Sequence, residues 1–307
     1  MKRSSRLAAL TLAVTLGAFP RVLSAQARGV PPAAFPAELD QYIEKAMRDW
    51  EVPGLAVAIV RHDTVLAAKG YGVRELGKPD RVDASTVFSI ASLTKSFTAA
   101  AAAILVDEGK LAWDAPVRRY LPAFRLSDPY LTDQVTVRDL LAHRTGLHAS
   151  NMMWVMTGID RAELVRRARY MQPERPFRTG QLYSNAGYAI AGEALAAAAG
   201  QSYEELIRSR LFAPLGMRSS TITMEALAQQ PNKVSPHAII GGVQRPIGWR
   251  NIDVIAPAGS INSTATDMAQ WLRFQLGDGT FRGTRLISAA SMWEMHSPKP
   301  SSPSPRR

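Results

Sequence analysis

The stretch from Leu93 to Glu108 constrains this chain more than any other. It is rich in alanine and leucine, holds no proline and is followed by Gly109. Such residues favour helix, and a glycine just past the last helical residue is a common stop. A helix this apolar cannot face water along its length, so the pattern predicts a buried helix with the rest of the fold wrapped around it. At its head stands Ser92-Leu93-Thr94-Lys95.

The remaining periodicities build outward from that helix. Residues 36 to 50 place Leu39, Tyr42, Ile43, Ala46 and Trp50 at helical spacing, which predicts an amphipathic helix. Gly54 to Val60 and Thr64 to Tyr71 are apolar, β-branched runs around the polar pair His62-Asp63, the pattern of a hairpin. Between Trp113 and Tyr188 short helical patterns alternate with Pro116, Pro122, Pro129 and Pro176, which predicts a helix-rich lobe. Tyr188 to Ala199, Tyr203 to Leu211 and Ala265 to Leu276 read as further helices, with Gly200 and Gly277 as stops. At 307 residues and 46% hydrophobic content, the chain can bury one large core or a main core with an inserted lobe.

Both ends read differently from the body. Lys2, Arg3 and Arg6 precede an apolar run from Leu7 to Phe19, and small residues follow around Ala25-Gln26-Ala27. This is the layout of a secretory signal peptide over residues 1–27, and it predicts a periplasmic or secreted protein. As a membrane anchor the run is short, and Pro20 interrupts it. The body is expected to be a single domain over 28–296. Residues 297–307, nearly all serine, proline, lysine and arginine, read as an unstructured tail or as out-of-frame sequence.

Charge and cysteine content exclude several functions. The net charge of +11 suggests nucleic acid until it is divided along the chain. Four uncompensated cations lie in the N-terminal segment and three in the tail, which leaves an ordinary +4 on the body. Arg166, Arg167 and Arg169 follow Glu163 in a helical pattern and read as a solvated helix face, so no nucleic-acid partner is expected. With no cysteine, disulfides and thiolate chemistry are excluded, and the histidines are too scattered for a metal site.

Two short motifs carry chemistry. Ser92-Leu93-Thr94-Lys95 is the only S-x-x-K in the chain. At the start of a helix this spacing sets the amine one turn from the hydroxyl on the same face, and the helix N-terminus favours a developing oxyanion. A capped helix with a surface lysine is the bland alternative, and the apolar residues after Lys95 argue against it. Tyr183-Ser184-Asn185 is the only Y-x-N. A phenol beside an ammonium can act as a base, and an asparagine two residues on can donate to substrate, although the triplet taken by itself is better explained by a tyrosine packed on a loop.

Longer landmarks join these motifs in one order. They are Phe88-Ser89-Ile90-Ala91 before Ser92, Trp113-Asp114-Ala115-Pro116 to Tyr120-Leu121-Pro122, and Val135-Thr136-Val137-Arg138-Asp139-Leu140-Leu141. His143-Arg144-Thr145-Gly146-Leu147, Phe212-Ala213-Pro214-Leu215-Gly216-Met217 and Pro257-Ala258-Gly259-Ser260 running into Asp267 follow. Over roughly residues 36 to 296 the chain resembles the serine hydrolase family of class C β-lactamases, D-alanyl-D-alanine carboxypeptidases and related esterases.

The resemblance implies an α/β (α+β) fold, with a sheet beginning at the hairpin, helices flanking it and a helical lobe inserted between the two motifs. It implies Ser92 as the acylated nucleophile, Lys95 as its neighbouring amine, Tyr183 as the base and Asn185 as a substrate-amide contact. The implied reaction is hydrolysis of an ester or amide through an acyl-enzyme, without cofactor or metal. The substrate would be a small molecule or peptide: a β-lactam, a D-Ala peptide or a carboxylic ester. One departure stands out. The family's third box, lysine or histidine, any residue, then glycine, follows the tyrosine motif, and no such triplet follows Tyr183. His143-Arg144-Thr145-Gly146 precedes it, so His143 is expected to be a structural helix-end residue. The chain is thus expected to stop short of the family's last strands and final helix, with a catalytically impaired or binding-only product as the alternative.

Overall fold

The computed structural model describes residues 37–148, 154–155 and 157–299. The signal peptide expected over 1–27 and the tail from residue 300 lie outside the described residues. Of the expected tail, residues 297–299 are described, and Ser297 Oγ donates to the Trp293 carbonyl at 2.6 Å.

Helix α1 (Ala37–Asp49) leads into a hairpin of β1 (Gly54–Arg61) and β2 (Thr64–Gly72). The turn falls on the predicted polar pair, with Arg61 opposite Thr64 and His62 at φ +53°. The apolar stripe of α1 is only partly used: Ile43 is buried, whereas Tyr42 and Trp50 are exposed. Polar contacts tie this helix to β2 as well, since Asp40 accepts from Tyr71 Oη at 2.6 Å and from Lys69 Nζ at 2.7 Å. Strand β3 (Phe88–Ser89) then leads through a short helical turn into α2 (Thr94–Asp107), the predicted central helix, buried from Ala100 to Leu105.

The lobe is made of α3 (Pro129–Gln134), α4 (Val137–Leu141) and α5 (Arg161–Arg167). Each begins on a side-chain cap, which is why such short helices start where they do. Asp128 caps α3 with Pro129 in its first turn, Thr136 and Asp139 form a capping box on α4, and Asp160 caps α5. Arg166 and Arg167 both pair with Glu163 on the solvated face of α5.

Helix α6 (Asn185–Ala199) starts three residues earlier than periodicity indicates, because Ser184 caps it by accepting from Gly187 N–H. The expected single helix over 203–211 is α7 (Tyr203–Ile207) followed by a wider π turn, Arg208–Phe212. After α8 (Ala213–Leu215) and α9 (Met224–Ala228) come a second hairpin, β4 (His237–Ile240) and β5 (Val243–Pro246), and α10 (Ala256–Gly259). Strand β6 (Asn262–Ser263), α11 (Ala265–Leu276), β7 (Thr280–Phe281), β8 (Thr284–Arg285) and α12 (Ala289–His296) complete the described chain.

The α/β class expected from the sequence holds. The sheet that was expected to begin at the hairpin does not widen: among the described residues the strands form four two-stranded pairs, β1–β2, β3–β6, β4–β5 and β7–β8. Helix α11 packs on the first hairpin and joins it to α2, where Trp271 stacks on Phe97 with ring centres 3.8 Å apart.

Burial divides into two clusters that α6 shares. Ala194 and Leu195 belong with α2, α7, α11 and α12, whereas Ala186 and residues 188–191 belong with the lobe. Helix α6 also crosses α10 closely. A Cβ on Gly192 would lie 2.1 Å from Pro257 Cγ, a distance that no packing adjustment short of moving the helices accommodates. Gly192→Ala is therefore expected to destabilise the fold by about 1–3 kcal/mol, seen as a lower midpoint in urea unfolding followed by circular dichroism.

Candidate active site

Pairing of β3 with β6 sets the head of α2 against α10. Ile90 N–H donates to the Ile261 carbonyl at 3.0 Å, and Ile261 N–H donates to Thr94 Oγ1 at 3.1 Å. Between these ties Ala91 has φ +44°, a left-handed backbone that a non-glycine residue adopts at a cost of about 1–3 kcal/mol and that clusters at functional sites. The strained residue immediately precedes Ser92, which is exposed.

The two sequence motifs meet at this point. Ser92 Oγ is 2.6 Å from Tyr183 Oη, and Lys95 Nζ donates to Ser92 Oγ at 3.2 Å. Lys95 Nζ also donates to Asn185 Oδ1 at 2.9 Å and to the Ala258 carbonyl at 2.8 Å. An ammonium has three donors, and each has its own acceptor here. All four residues singled out from the sequence are thus brought together. Ser92 and Lys95 come from the head of α2, and Tyr183 and Asn185 from the junction of a loop with the first residue of α6.

Burial separates the members of the group. Lys95 is 8% exposed, whereas Tyr183 is 46% exposed. Burial pushes the Lys95 amine below its usual value, and the phenol of Tyr183 opposes that shift. Burial by itself would raise Tyr183, but the adjacent Lys95 ammonium and the Ser92 hydroxyl outweigh it and hold the phenol below the usual tyrosine value. The amine and the phenol are therefore both more acidic than their free counterparts, which lowers the cost of taking a proton from either.

Three contributors were not legible in the sequence as parts of this site. The Ala258 carbonyl belongs to a landmark, but a backbone oxygen leaves no residue-type signal. Tyr188, one turn into α6, lies with its ring centre 5.2 Å from Lys95 Nζ and donates its hydroxyl to the Leu141 carbonyl. His143 was expected to end a helix. It does follow α4, and it is also buried against the Tyr183 ring with centres 4.5 Å apart. No group of three or more histidine, cysteine, aspartate or glutamate side chains suited to a metal ion occurs among the described residues. None of the described helices is long and apolar enough to cross a membrane.

This architecture has known counterparts, and they define its class: the chain belongs to the beta-lactamase family, whose model matches residues 39–307. Within that family it is 32% identical over 244 residues to penicillin-binding protein 4 of Amycolatopsis lactamdurans, covering 78% of this chain and 64% of that one. It is 28% identical over 250 residues to unguisins hydrolase ungD of Aspergillus violaceofuscus, covering 76% of this chain and 44% of the relative. Among solved structures, an octameric penicillin-binding protein homologue from Pyrococcus abyssi superposes with a TM-score of 0.70 at 26% identity. That match covers 85% of this chain and 59% of the homologue. The chain thus spans about half to two thirds of the length of these relatives.

Proposed function

We propose that this protein is a serine hydrolase that forms an acyl-enzyme on Ser92 and hydrolyses an ester or amide. The observation that carries the reading is the 2.6 Å contact of Ser92 Oγ with Tyr183 Oη beside a buried ammonium. In the proposed reaction the Tyr183 phenolate takes the hydroxyl proton as Ser92 Oγ bonds to the substrate carbonyl carbon. Tyr183 then delivers that proton to the leaving alcohol or amine as its bond to the carbonyl carbon breaks. Water later attacks the acyl carbon, gives a proton to Tyr183, and Ser92 leaves with it. The Lys95 charge stabilises the phenolate throughout. Asn185 uses its amide oxygen on Lys95, which leaves its NH2 to donate to an acyl-group carbonyl. A helix head with a strained residue before the serine supplies the first oxyanion donor, the Ser92 N–H.

β-Lactams, D-Ala peptides and carboxylic esters all present the required carbonyl, and the names of the relatives include both a penicillin-binding protein and a hydrolase. The test is intact-mass spectrometry after incubation with a fluorescent penicillin and, separately, with a nitrophenyl ester. An added acyl mass on the peptide containing Ser92 is expected, and labelling of any other residue in its place would overturn the assignment. Tyr183→Phe is expected to slow acylation by about 10²–10⁴-fold, the usual worth of a positioned base, with KM little changed. Stopped-flow measurement of adduct formation checks this.

A further inference from the structure

Tyr183 sits at the end of a segment, residues 171–184, that contains no helix and no extended strand. Its phenol nevertheless has to be held within a few tenths of an ångström of Ser92 Oγ. The hold comes from His143. The His143 carbonyl accepts from Leu182 N–H at 2.7 Å, and its Nδ1 accepts from Ser184 N–H at 3.2 Å. One residue thereby grips the backbone on both sides of Tyr183. The imidazole also lies against the Tyr183 ring, at 4.5 Å and a tilt of 37°, and against the Tyr188 ring at 5.1 Å. Its backbone is left-handed, with φ +57°, a conformation in which histidine is enriched several-fold over most residues. The reversal after α4 lets both carbonyl and ring reach the same loop.

Neighbouring contacts hold His143 itself. Arg178 N–H donates to the Arg144 carbonyl at 2.9 Å, and Glu174 N–H donates to the Gly146 carbonyl at 2.8 Å. Gly146 has φ +74°, and a Cβ there would lie 2.2 Å from the Arg175 carbonyl oxygen, so only glycine lets the two segments approach this closely. The His143-Arg144-Thr145-Gly146 box is thus the backing of the Tyr183 loop.

We propose that His143, as the neutral imidazole protonated on Nε2, is a positioning residue that holds the Tyr183 phenol over Ser92 and Lys95, and that protonation of Nδ1 releases it. The inference rests on the reading of Tyr183 as the base. An imidazolium carries N–H on both nitrogens. It would turn the Ser184 contact into two opposed donors and bring a second cation toward Lys95. The charged and titratable groups acting on the ring are Lys95 on α2, Tyr183 on the loop and Tyr188 on α6, while Asp139 in α4 is paired with Arg144 just after that helix and with Arg178 on the loop. Burial first, and the Lys95 charge second, keep His143 down to about 4, so the accepting form persists throughout the neutral range.

Two variants separate the acceptor from the ring. His143→Phe keeps an aromatic ring and loses Nδ1; His143→Asn places Oδ1 near the Nδ1 position and cannot titrate. His143→Phe is expected to lower the acylation rate constant by about tenfold to a hundredfold, the cost of a small misplacement, with KM little changed. It should cause no further loss in a Tyr183→Phe background. His143→Asn should restore most of the rate and remove the fall in activity near pH 4. Wild-type rates in His143→Phe, or additive losses with Tyr183→Phe, would overturn the proposal. A readout independent of activity and of variant folding is the imidazole ¹⁵N spectrum of the full chain. Nδ1 should be unprotonated at neutral pH and gain its proton only near pH 4, and an Nδ1–H at neutral pH would refute the inference. If the native chain forms no adduct, the Ser92 reading falls by itself, and the imidazole spectrum still decides whether His143 accepts from the loop.

Discussion

Ser92→Ala is expected to eliminate covalent labelling altogether and to lower any turnover of ester or amide by on the order of a thousandfold or more. Lys95 Nζ directs one donor at Ser92 Oγ and its remaining two at Asn185 and Ala258, so Ser92 is the hydroxyl that this ammonium serves. The residual rate in such variants comes from oxyanion stabilisation and substrate binding, which the alanine leaves in place. Stability should barely change. Ser92 is exposed, so the groups that lose its hydroxyl are within reach of water, and an alanine fits the same backbone. The paired measurements are intact-mass labelling and urea unfolding. An adduct persisting in a normally folded Ser92→Ala protein would remove Ser92 as nucleophile.

Asp139→Ala is expected to have the largest effect on stability, about 3–5 kcal/mol, the usual range for breaking a buried ion pair by deleting one partner. Asp139 is fully buried. Its Oδ1 accepts from Arg144 Nε at 2.6 Å, and its Oδ2 accepts from Arg178 Nη2 at 2.7 Å and from Thr136 N–H at 3.0 Å. The alanine removes the capping box of α4 and the anion shared by two guanidiniums in one step. Set against a typical total of about 5–15 kcal/mol, that removes from about a fifth to all of the stability.

The same carboxylate makes stability depend on acidity. Burial would raise Asp139, but Arg178, Thr136 and Arg144 hold it below the ordinary carboxylate value. The unfolded chain therefore takes up this proton first as pH falls. Its contribution is complete above the ordinary carboxylate range and is lost as pH drops through that range toward the lower folded-state value. Urea midpoints measured from neutral to strongly acid pH should fall more steeply for the native chain than for Asp139→Ala. Equal slopes would show that the cluster contributes no net stabilisation.

Local signals were legible where the physics is local. The tight turn at His62-Asp63 and the glycine stops after α2 and α6 each depend on residues within a few positions. They could be placed from the chain alone. The start of α6 was misplaced because its signal is Ser184 acting as a cap within the Y-x-N triplet, where the functional reading of the motif hid the helical one. Tyr42 and Trp50 fit the apolar stripe of α1 and remain exposed, since periodicity states which face a helix offers and not how much of that face finds a partner.

For the site, the sequence by itself determined the chemistry on offer: one S-x-x-K at the head of an apolar helix, one Y-x-N, and no thiol. Helix geometry alone relates Ser92 to Lys95, three residues apart. Tertiary structure decided the rest, because the other distances join residues far apart in the chain. Tyr183 reaches Ser92 across 91 positions, and the Ala258 carbonyl reaches Lys95 across 163. Only packing around α6 can set those separations. The raised acidity of the Lys95 ammonium likewise follows from burial, which no stretch of sequence states. His143 shows the division most clearly. Its place after α4 was readable from the chain, but its grip on both sides of Tyr183 exists only because the fold lays residues 143–146 against residues 174–184.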